Sequence, residues 1–137
     1  MVGIHASHGA NRFEALDPIR QGVARHFGAI RGGIARDLTL RHDHGSNYMS
    51  DDFQDEIKFL GIASSPAFVR QPEGNGVAER AIRTLKENLL WVRHFATVEE
   101  LRQGLLAFAE IYNATWLRQR HGYKTPTQIR AEQVGLE

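Results

Sequence analysis

Short segments with strand periodicity alternate with amphipathic helical segments along this chain. RDLTLRH at 36–42 places the apolar Leu38 and Leu40 between polar neighbours, which is the period of a half-buried strand. GIASS at 61–65 predicts a second strand, and VGIHA at 2–6 predicts another. This alternation favours an α/β fold, in which functional groups tend to lie beyond the carboxyl ends of the strands.

Apolar residues that recur every three or four positions predict five helices. The predicted helices cover 13–27, with a break or restart at Asp17-Pro18, and 51–60, 75–94, 98–116 and 127–133. Asn11 is a candidate cap for the first helix and Gly28 would end it, whereas Thr97 and Glu100 form a capping box. We see no internal repeat and expect one domain from 137 residues.

Composition excludes several classes of site. The chain contains no cysteine, which excludes disulfides and thiolate metal sites. Its uncharged apolar stretches are far shorter than the ~20 residues that a membrane-spanning helix needs, and its first residues lack a secretory pattern. We therefore expect a cytosolic chain with no membrane partner.

Positive charge is concentrated in two stretches. One contains Arg80, Arg83, Lys86 and Arg93, and the other contains Arg118, Arg120, Lys124 and Arg130. Either stretch could contact the phosphates of a nucleic acid. Both could equally be solvated helix faces, which are the commoner outcome for such runs.

Asp43 follows the predicted strand at 36–42, between two histidines and ahead of Gly45. It could form an Asx turn with Gly45-Ser46, share a metal site with His42 and His44, or act as a catalytic carboxylate. A histidine site could also recruit other histidines of the chain, namely His5, His8 or His121. We expect most of the histidines to be surface residues.

Glu79 lies in the first turn of the predicted helix at 75–94. At about 100° per residue, Glu79, Arg83 and Lys86 share one face. The apolar stripe beside that face consists of Ala78, Ile82, Leu85, Leu89 and Val92. Two acids from separate elements can hold Mg²⁺, although Glu79 could instead only complement the partial positive charge of the helix start. Residue types alone do not decide between these roles.

Two long strings of this sequence resemble the second half of the catalytic core of bacterial insertion-sequence transposases related to retroviral integrases, the DDE recombinases. They are LRHDHGSNYMSDDF at 40–53 and LGIASSPAFVRQPEGNGVAERAIRTLKENL at 60–89. In that family, 35 residues separate an aspartate at the end of the fourth strand from a helix-borne glutamate, and 35 residues separate Asp43 from Glu79. The family's later basic residue matches Lys86. Its downstream pattern matches Tyr112-Asn113, Arg120, His121 and Thr125-Pro126.

The resemblance implies that residues 1–137 form a partial integrase catalytic core, with an RNase H-like α/β fold that lacks the first strands. It implies that Asp43 and Glu79 are catalytic and bind Mg²⁺ or Mn²⁺. The implied activity is insertion-sequence transposition by DNA strand cleavage and transfer, with a hydroxyl as nucleophile. The implied partners are transposon ends and target DNA, bound by a homo-oligomer of the full-length enzyme in the bacterial cytosol at the nucleoid.

Four side chains are candidates for DNA contacts. Lys86 and Arg83 share the face of Glu79, and Gln71 and Asn75 flank the predicted helix. We expect these residues to contact phosphates or bases near the catalytic carboxylates.

The family's first catalytic aspartate has no match here. Only Asp17 and Asp37 precede Asp43, and Asp37 would lie about 20 Å down the same predicted strand, too far to share a metal pair. We expect the isolated chain to bind Mg²⁺ or Mn²⁺ weakly and to be inactive in strand cleavage. The alternative function is that of an inactive transposase remnant that binds DNA or a protein partner.

Overall fold

The structure is a computed structural model and describes residues 1–66, 76–117 and 122–135. In chain order the elements are α1 (Arg12–Phe27), β1 (Thr39–His42), α2 (Ser46–Met49), α3 (Asp51–Leu60), β2 (Ala63–Pro66), α4 (Gly76–Leu85), a π-helical turn (Lys86–Leu90), α5 (Val98–Thr115) and α6 (Pro126–Gly135). The predicted helices are therefore confirmed, with changed limits at several ends.

A parallel pair of strands forms the described sheet. β1 pairs with β2 in the register Thr39 to Ala63 through His42 to Pro66, and the two strands are joined by the crossover through α2 and α3. α3 buries Phe53, Ile57 and Leu60 fully, because its apolar residues recur at helical spacing on the side that faces α1 and the sheet. The remaining members of this first core are Leu16, Val23, Ala35 and Ile62.

Local end signals fix the limits of several helices. The side chain of Asn11 accepts hydrogen bonds from two N–H groups of the first turn of α1, and the side chain of Ser50 accepts one at the start of α3. Gly28 and Gly61 end these helices in left-handed conformations. The predicted break at Pro18 is wrong, because α1 continues through it. Burial of Leu16 and Val23 on either side offsets the one hydrogen bond that proline cannot donate.

β1 is shorter than the predicted strand at 36–42. Asp37 has a φ of 78°, which is left-handed and incompatible with a strand, so the ladder begins only at Thr39. Residues 32–37 turn beneath the end of α3 instead, where the N–H of Ala35 donates to the carbonyl of Leu60 at 2.8 Å. The placement of Asp37 on the strand is therefore wrong.

The predicted strand at 2–6 is also wrong. Residues 1–7 have no assigned secondary structure, because helix side chains rather than a neighbouring strand take up their backbone groups. These hydrogen bonds join Ile4 N to Gln21 Oε1 at 3.1 Å, Arg102 Nη2 to Ala6 O at 3.1 Å, and Asn113 Nδ2 to Met1 O at 2.7 Å. The segment is thus tied to α1 and α5.

The apolar stripe predicted for residues 78–92 is buried only at its centre. Leu89 is buried and Leu85 is half-buried against α5, but Ile82 and Val92 are 51% and 66% exposed and Ala78 is exposed. The helix changes to a π-helical turn at Lys86, and the extra residue rotates the side chains after it by about 100°. The helical segment therefore ends at Leu90 rather than near His94.

A second core lies between the π-helical turn and α5. Its buried members are Leu89, Leu105, Phe108 and Tyr112, and Ile4 and Trp116 pack against them. Thr97 accepts a hydrogen bond from Glu100 N at 3.1 Å, while the Glu100 side chain accepts one from Ala96 N at 2.8 Å. Thr97 therefore caps α5 as predicted, whereas the Glu100 carboxylate bonds the N–H of Ala96, one residue before the N–H that a capping box uses.

We predict different costs for alanine at two left-handed glycines. Gly28 (φ 83°) has no atom within 4 Å of an added Cβ, so Gly28→Ala should cost about 1–2 kcal/mol of unfolding free energy from backbone strain alone. Gly61 (φ 88°) would place its Cβ 3.0 Å from the N and 3.1 Å from the Cα of Arg36. Gly61→Ala should therefore cost a further ~1–3 kcal/mol in urea unfolding. Equal losses would contradict the close approach of Gly61 to Arg36.

Candidate active site

Asp43 is exposed and lies immediately after β1, at the carboxyl end of the parallel pair. Its Oδ1 accepts a hydrogen bond from the N–H of Gly45 at 2.7 Å, so the predicted Asx turn is present. Its Oδ2 accepts no hydrogen bond from the residues that the structure describes. An Asx turn uses only one oxygen, and the turn and a ligand role for Asp43 are therefore compatible.

His42, directly before Asp43, is 4% exposed, whereas the sequence suggested that most of the histidines are surface residues. Its Nδ1 lies 2.6 Å from the carbonyl oxygen of Asp43, and its Nε2 lies 2.7 Å from Ser64 Oγ on β2. Because both ring nitrogens have oxygen partners, the described arrangement does not support a metal site shared by His42 and His44. The strand period contained the signal, since His42 faces the same side of β1 as the half-buried Leu40.

Glu79 is exposed in the first turn of α4, which begins at Gly76. An acidic side chain suits this position, because the first turn of a helix carries a partial positive charge. The structure thus places Glu79 where the sequence predicted it. Its convergence with Asp43 on one cation stays a prediction.

Arg83 and Lys86 lie on the same side of the helix as Glu79, about 40° and 20° from it at 100° per residue. Arg83 Nε donates to Glu87 Oε1 at 2.8 Å, and this hydrogen bond together with the charge of Glu87 raises the pKa of Arg83. Lys86 is exposed and has no ion-pair partner among the described residues. Among the described residues of this face, Lys86 is therefore the cation whose charge no acidic side chain offsets. The predicted DNA contacts Gln71 and Asn75 lie outside the described residues.

Within the described part of the chain, one group of three potential metal ligands occurs, and it contains neither Asp43 nor Glu79. It consists of His5 with Glu14 and Asp17 of α1. His5 Nε2 faces Glu14 Oε2 at 2.5 Å, whereas its Nδ1 faces Asp17 Oδ2 at 3.4 Å. The two ring nitrogens point in divergent directions, so one metal cannot replace both contacts. The group is a histidine that bridges two carboxylates and ties the N-terminal segment to α1.

Known proteins with similar sequences include integrase cores and insertion-sequence transposases. The family described as the integrase core domain matches residues 60–126, a range that contains Glu79 and Lys86 and begins after Asp43. The transposase for insertion sequence element IS904 of Lactococcus lactis is 31% identical over 90 residues, which are 65% of this chain and 36% of that protein. The putative transposase InsD for insertion element IS2E of Escherichia coli is 27% identical over 86 residues, 63% of this chain and 39% of that protein.

The chain is thus similar to DDE transposases in sequence and, over residues 60–126, to the integrase core domain. The resemblance inferred from residues 40–53 and 60–89 is thereby confirmed. The chain spans only about a third of the length of the insertion-sequence transposases that it matches.

The fold is that of the same family. The catalytic core domain of BIV integrase superposes with a TM-score of 0.63 at 22% identity, and the match covers 93% of this chain and 76% of that one. The RNase H-like α/β fold is therefore confirmed for this chain. Its described helices include none that is long and apolar enough to cross a bilayer.

We predict that two substitutions of Asp43 differ in their effect on the free energy of unfolding, because only one of them preserves the Asx turn. Asparagine keeps the Oδ1 acceptor for Gly45 N, so Asp43→Asn should change the free energy of unfolding by less than about 0.5 kcal/mol. Asp43→Ala removes the acceptor and should cost about 1 kcal/mol. Urea unfolding of both variants checks the difference, and equal stability of the two would mean that the turn contributes nothing.

Proposed function

We propose that this chain provides the second aspartate and the glutamate of a DDE-type active site, Asp43 and Glu79, in an insertion-sequence transposase. The reaction class is metal-dependent DNA strand cleavage and transfer with a hydroxyl as nucleophile. The observation that carries the proposal is the position of Asp43 at a strand end, 35 residues before a helix-borne Glu79, in a chain with integrase-core homologues and fold.

The donor set fits a hard divalent cation. Mg²⁺ and Mn²⁺ prefer oxygen ligands, and both carboxylates are exposed and available from separate elements. Asp43 keeps one oxygen outside the Asx turn, which suits a ligand whose other oxygen is fixed. We therefore assign the metal-binding role to Asp43 and Glu79, with Mg²⁺ or Mn²⁺ as cofactor.

The chemistry is divided between the ion and the protein. A bound divalent cation polarises phosphoryl oxygens and activates an attacking oxygen. Asp43 and Glu79 would hold this cation. Lys86, which lies on the same side of the helix as Glu79, would neutralise phosphate charge on the DNA. Arg83 lies on the same side of the helix, but the charge of its partner Glu87 partly offsets its own. Gln71 and Asn75 precede α4 in the sequence, and we assign them to DNA contacts from that position.

The third carboxylate of the family is not assigned to either earlier aspartate. Asp17 is engaged with His5, and Asp37 occupies a left-handed turn before β1. Neither stands at the end of a strand beside Asp43 among the described elements. We propose that this carboxylate comes from a strand outside the described pair, and that cleavage requires it.

The partners and location follow from the same proposal. The family relatives are transposases for insertion sequence elements, so the expected partners are transposon ends and target DNA. We place the full-length enzyme in the bacterial cytosol at the nucleoid, as a homo-oligomer.

We predict that Asp43 and Glu79 bind the same cation. Asp43→Asn and Glu79→Gln should each remove most of the Mn²⁺ affinity measured by titration calorimetry. The double variant should lose little more than either single variant, because ligands of one ion are not additive. Asp37→Asn is the matched control, since it removes an exposed acid just before β1 and asparagine accepts its φ of 78°.

Two outcomes of this titration would contradict the proposal. Fully additive losses would mean that Asp43 and Glu79 bind separate ions. Unchanged Mn²⁺ affinity in both single variants, with DNA binding retained, would instead support the alternative of a non-catalytic remnant that binds DNA.

We predict that Lys86 contributes more than Arg83 to duplex binding. Lys86→Ala should reduce the slope of log K against log salt by about 0.9, the value for one lost phosphate contact. Arg83→Ala should reduce it less, and Glu87→Gln should tighten binding because it releases the charge of Arg83. Lys58→Ala, at the exposed end of α3, is the control for general charge. Equal effects of Lys86→Ala and Lys58→Ala would identify the helix face as merely solvated.

A further inference from the structure

The buried ring of His42 connects Asp43 to the first core. The ring stacks on Tyr48, with centroids 5.7 Å apart and an interplanar angle of 21°, and meets the edge of Phe53 at 6.3 Å. Phe53 is itself fully buried on α3. The position of the ring is therefore set by aromatic packing, independently of its hydrogen bonds.

The hydrogen bonds of His42 determine where its proton lies. The carbonyl oxygen of Asp43 can only accept, so the Nδ1 that lies 2.6 Å away must carry hydrogen. When the ring is neutral, Nε2 is then an acceptor, and the partner 2.7 Å away, Ser64 Oγ, donates to it. The tautomer is thus fixed by the nature of the oxygen on the Nδ1 side.

The chain of donors extends from α3 to the candidate site. Gln54 Nε2 donates to Ser64 Oγ at 3.3 Å and to the carbonyl oxygen of Tyr48 at 2.7 Å. Donors therefore run in one direction, from Gln54 to Ser64, from Ser64 to His42, and from His42 to Asp43. Such a chain lets each bond polarise the next, and it links α3, β2 and β1 to one peptide group.

Two hydrogen bonds restrain Asp43. His42 holds its backbone carbonyl, and the N–H of Gly45 holds its side-chain Oδ1. The hydrogen bond from His42 is partly buried and that from Gly45 is exposed, so the bond from His42 is the less accessible to competition from water. Together they restrict both the peptide plane and the side-chain rotation of this carboxylate.

We propose that His42 is a positioning residue for Asp43, and that it acts through its Nδ1–H and the donor chain from Ser64. This inference rests on the proposed function of Asp43 as a metal-binding carboxylate. Metal ligands need orientation by the groups that hydrogen-bond to them, and loss of such a group costs on the order of tenfold in metal affinity. His42 does not touch the cation in this proposal.

The experiment compares substitutions that keep or remove the Nδ1–H donor. His42→Asn retains an N–H near the position of Nδ1, whereas His42→Gln does not, and Ser64→Ala removes only the partner of Nε2. The measurements are Mn²⁺ affinity by calorimetry and amide hydrogen exchange of Gly45, whose N–H reports whether Oδ1 stays in place. His94→Gln, an exposed histidine after the π-helical turn, is the matched control.

We expect His42→Gln to weaken Mn²⁺ binding by roughly tenfold and to speed exchange at Gly45. His42→Asn should restore part of both, and Ser64→Ala should give a smaller change in the same direction. Ser64 is exposed, so this variant stays informative even if a change at buried His42 prevents folding. Nitrogen NMR of the wild-type ring should show a protonated Nδ1.

Several results would overturn the inference. An unprotonated Nδ1 would remove its basis, and so would wild-type Mn²⁺ affinity in folded His42→Gln and Ser64→Ala when Asp43→Asn has lost it. If Asp43→Asn itself leaves Mn²⁺ binding unchanged, the proposed function fails and the metal-positioning role fails with it. Amide hydrogen exchange of Gly45 in His42→Gln then still shows whether His42 holds the turn between Asp43 and Gly45.

Discussion

The parallel pairing of β1 with β2 is the constraint on which the rest of the site depends. Two four-residue strands offer few hydrogen bonds, so their pairing requires the crossover helix α3 to cover them. α3 does so with Phe53, Ile57 and Leu60, all fully buried, and α1 covers its other side. Because the strands end together, Asp43 leaves the sheet at a point fixed by both the ladder and the helix beneath it.

The sequence predicted best those features that depend on neighbouring residues. The caps at Asn11 and Thr97 and the helix end at Gly28 follow from the chemistry of one turn, and all are present. The strand predicted at 2–6 failed because its hydrogen-bond partners lie far away in the sequence. Residues 2–6 have strand periodicity, yet their carbonyl and N–H groups bond to side chains of α1 and α5, which no local pattern encodes.

The same distinction between local and long-range contacts applies to the candidate site. The strand end of Asp43 and the helix start of Glu79 were predictable, because each depends on a local periodicity and each was reinforced by family resemblance. Their approach to each other depends on how α4 lies against the sheet, which is a long-range property. His42 was missed because residue type suggested a surface histidine, whereas its partner Ser64 on the adjacent strand supplies the hydrogen bond that makes burial tolerable.

The two carboxylates therefore differ in how well the chain itself positions them. Asp43 is held through its backbone and its side chain, whereas Glu79 stands on a first turn whose neighbours Val77 and Ile82 are 54% and 51% exposed. Apolar burial, the main source of packing energy, contributes little to α4 before Leu85. A cation shared by both carboxylates would link α4 to the strand end and stabilise that placement by its binding free energy. Order at Glu79 should consequently depend on the metal more than order at Asp43.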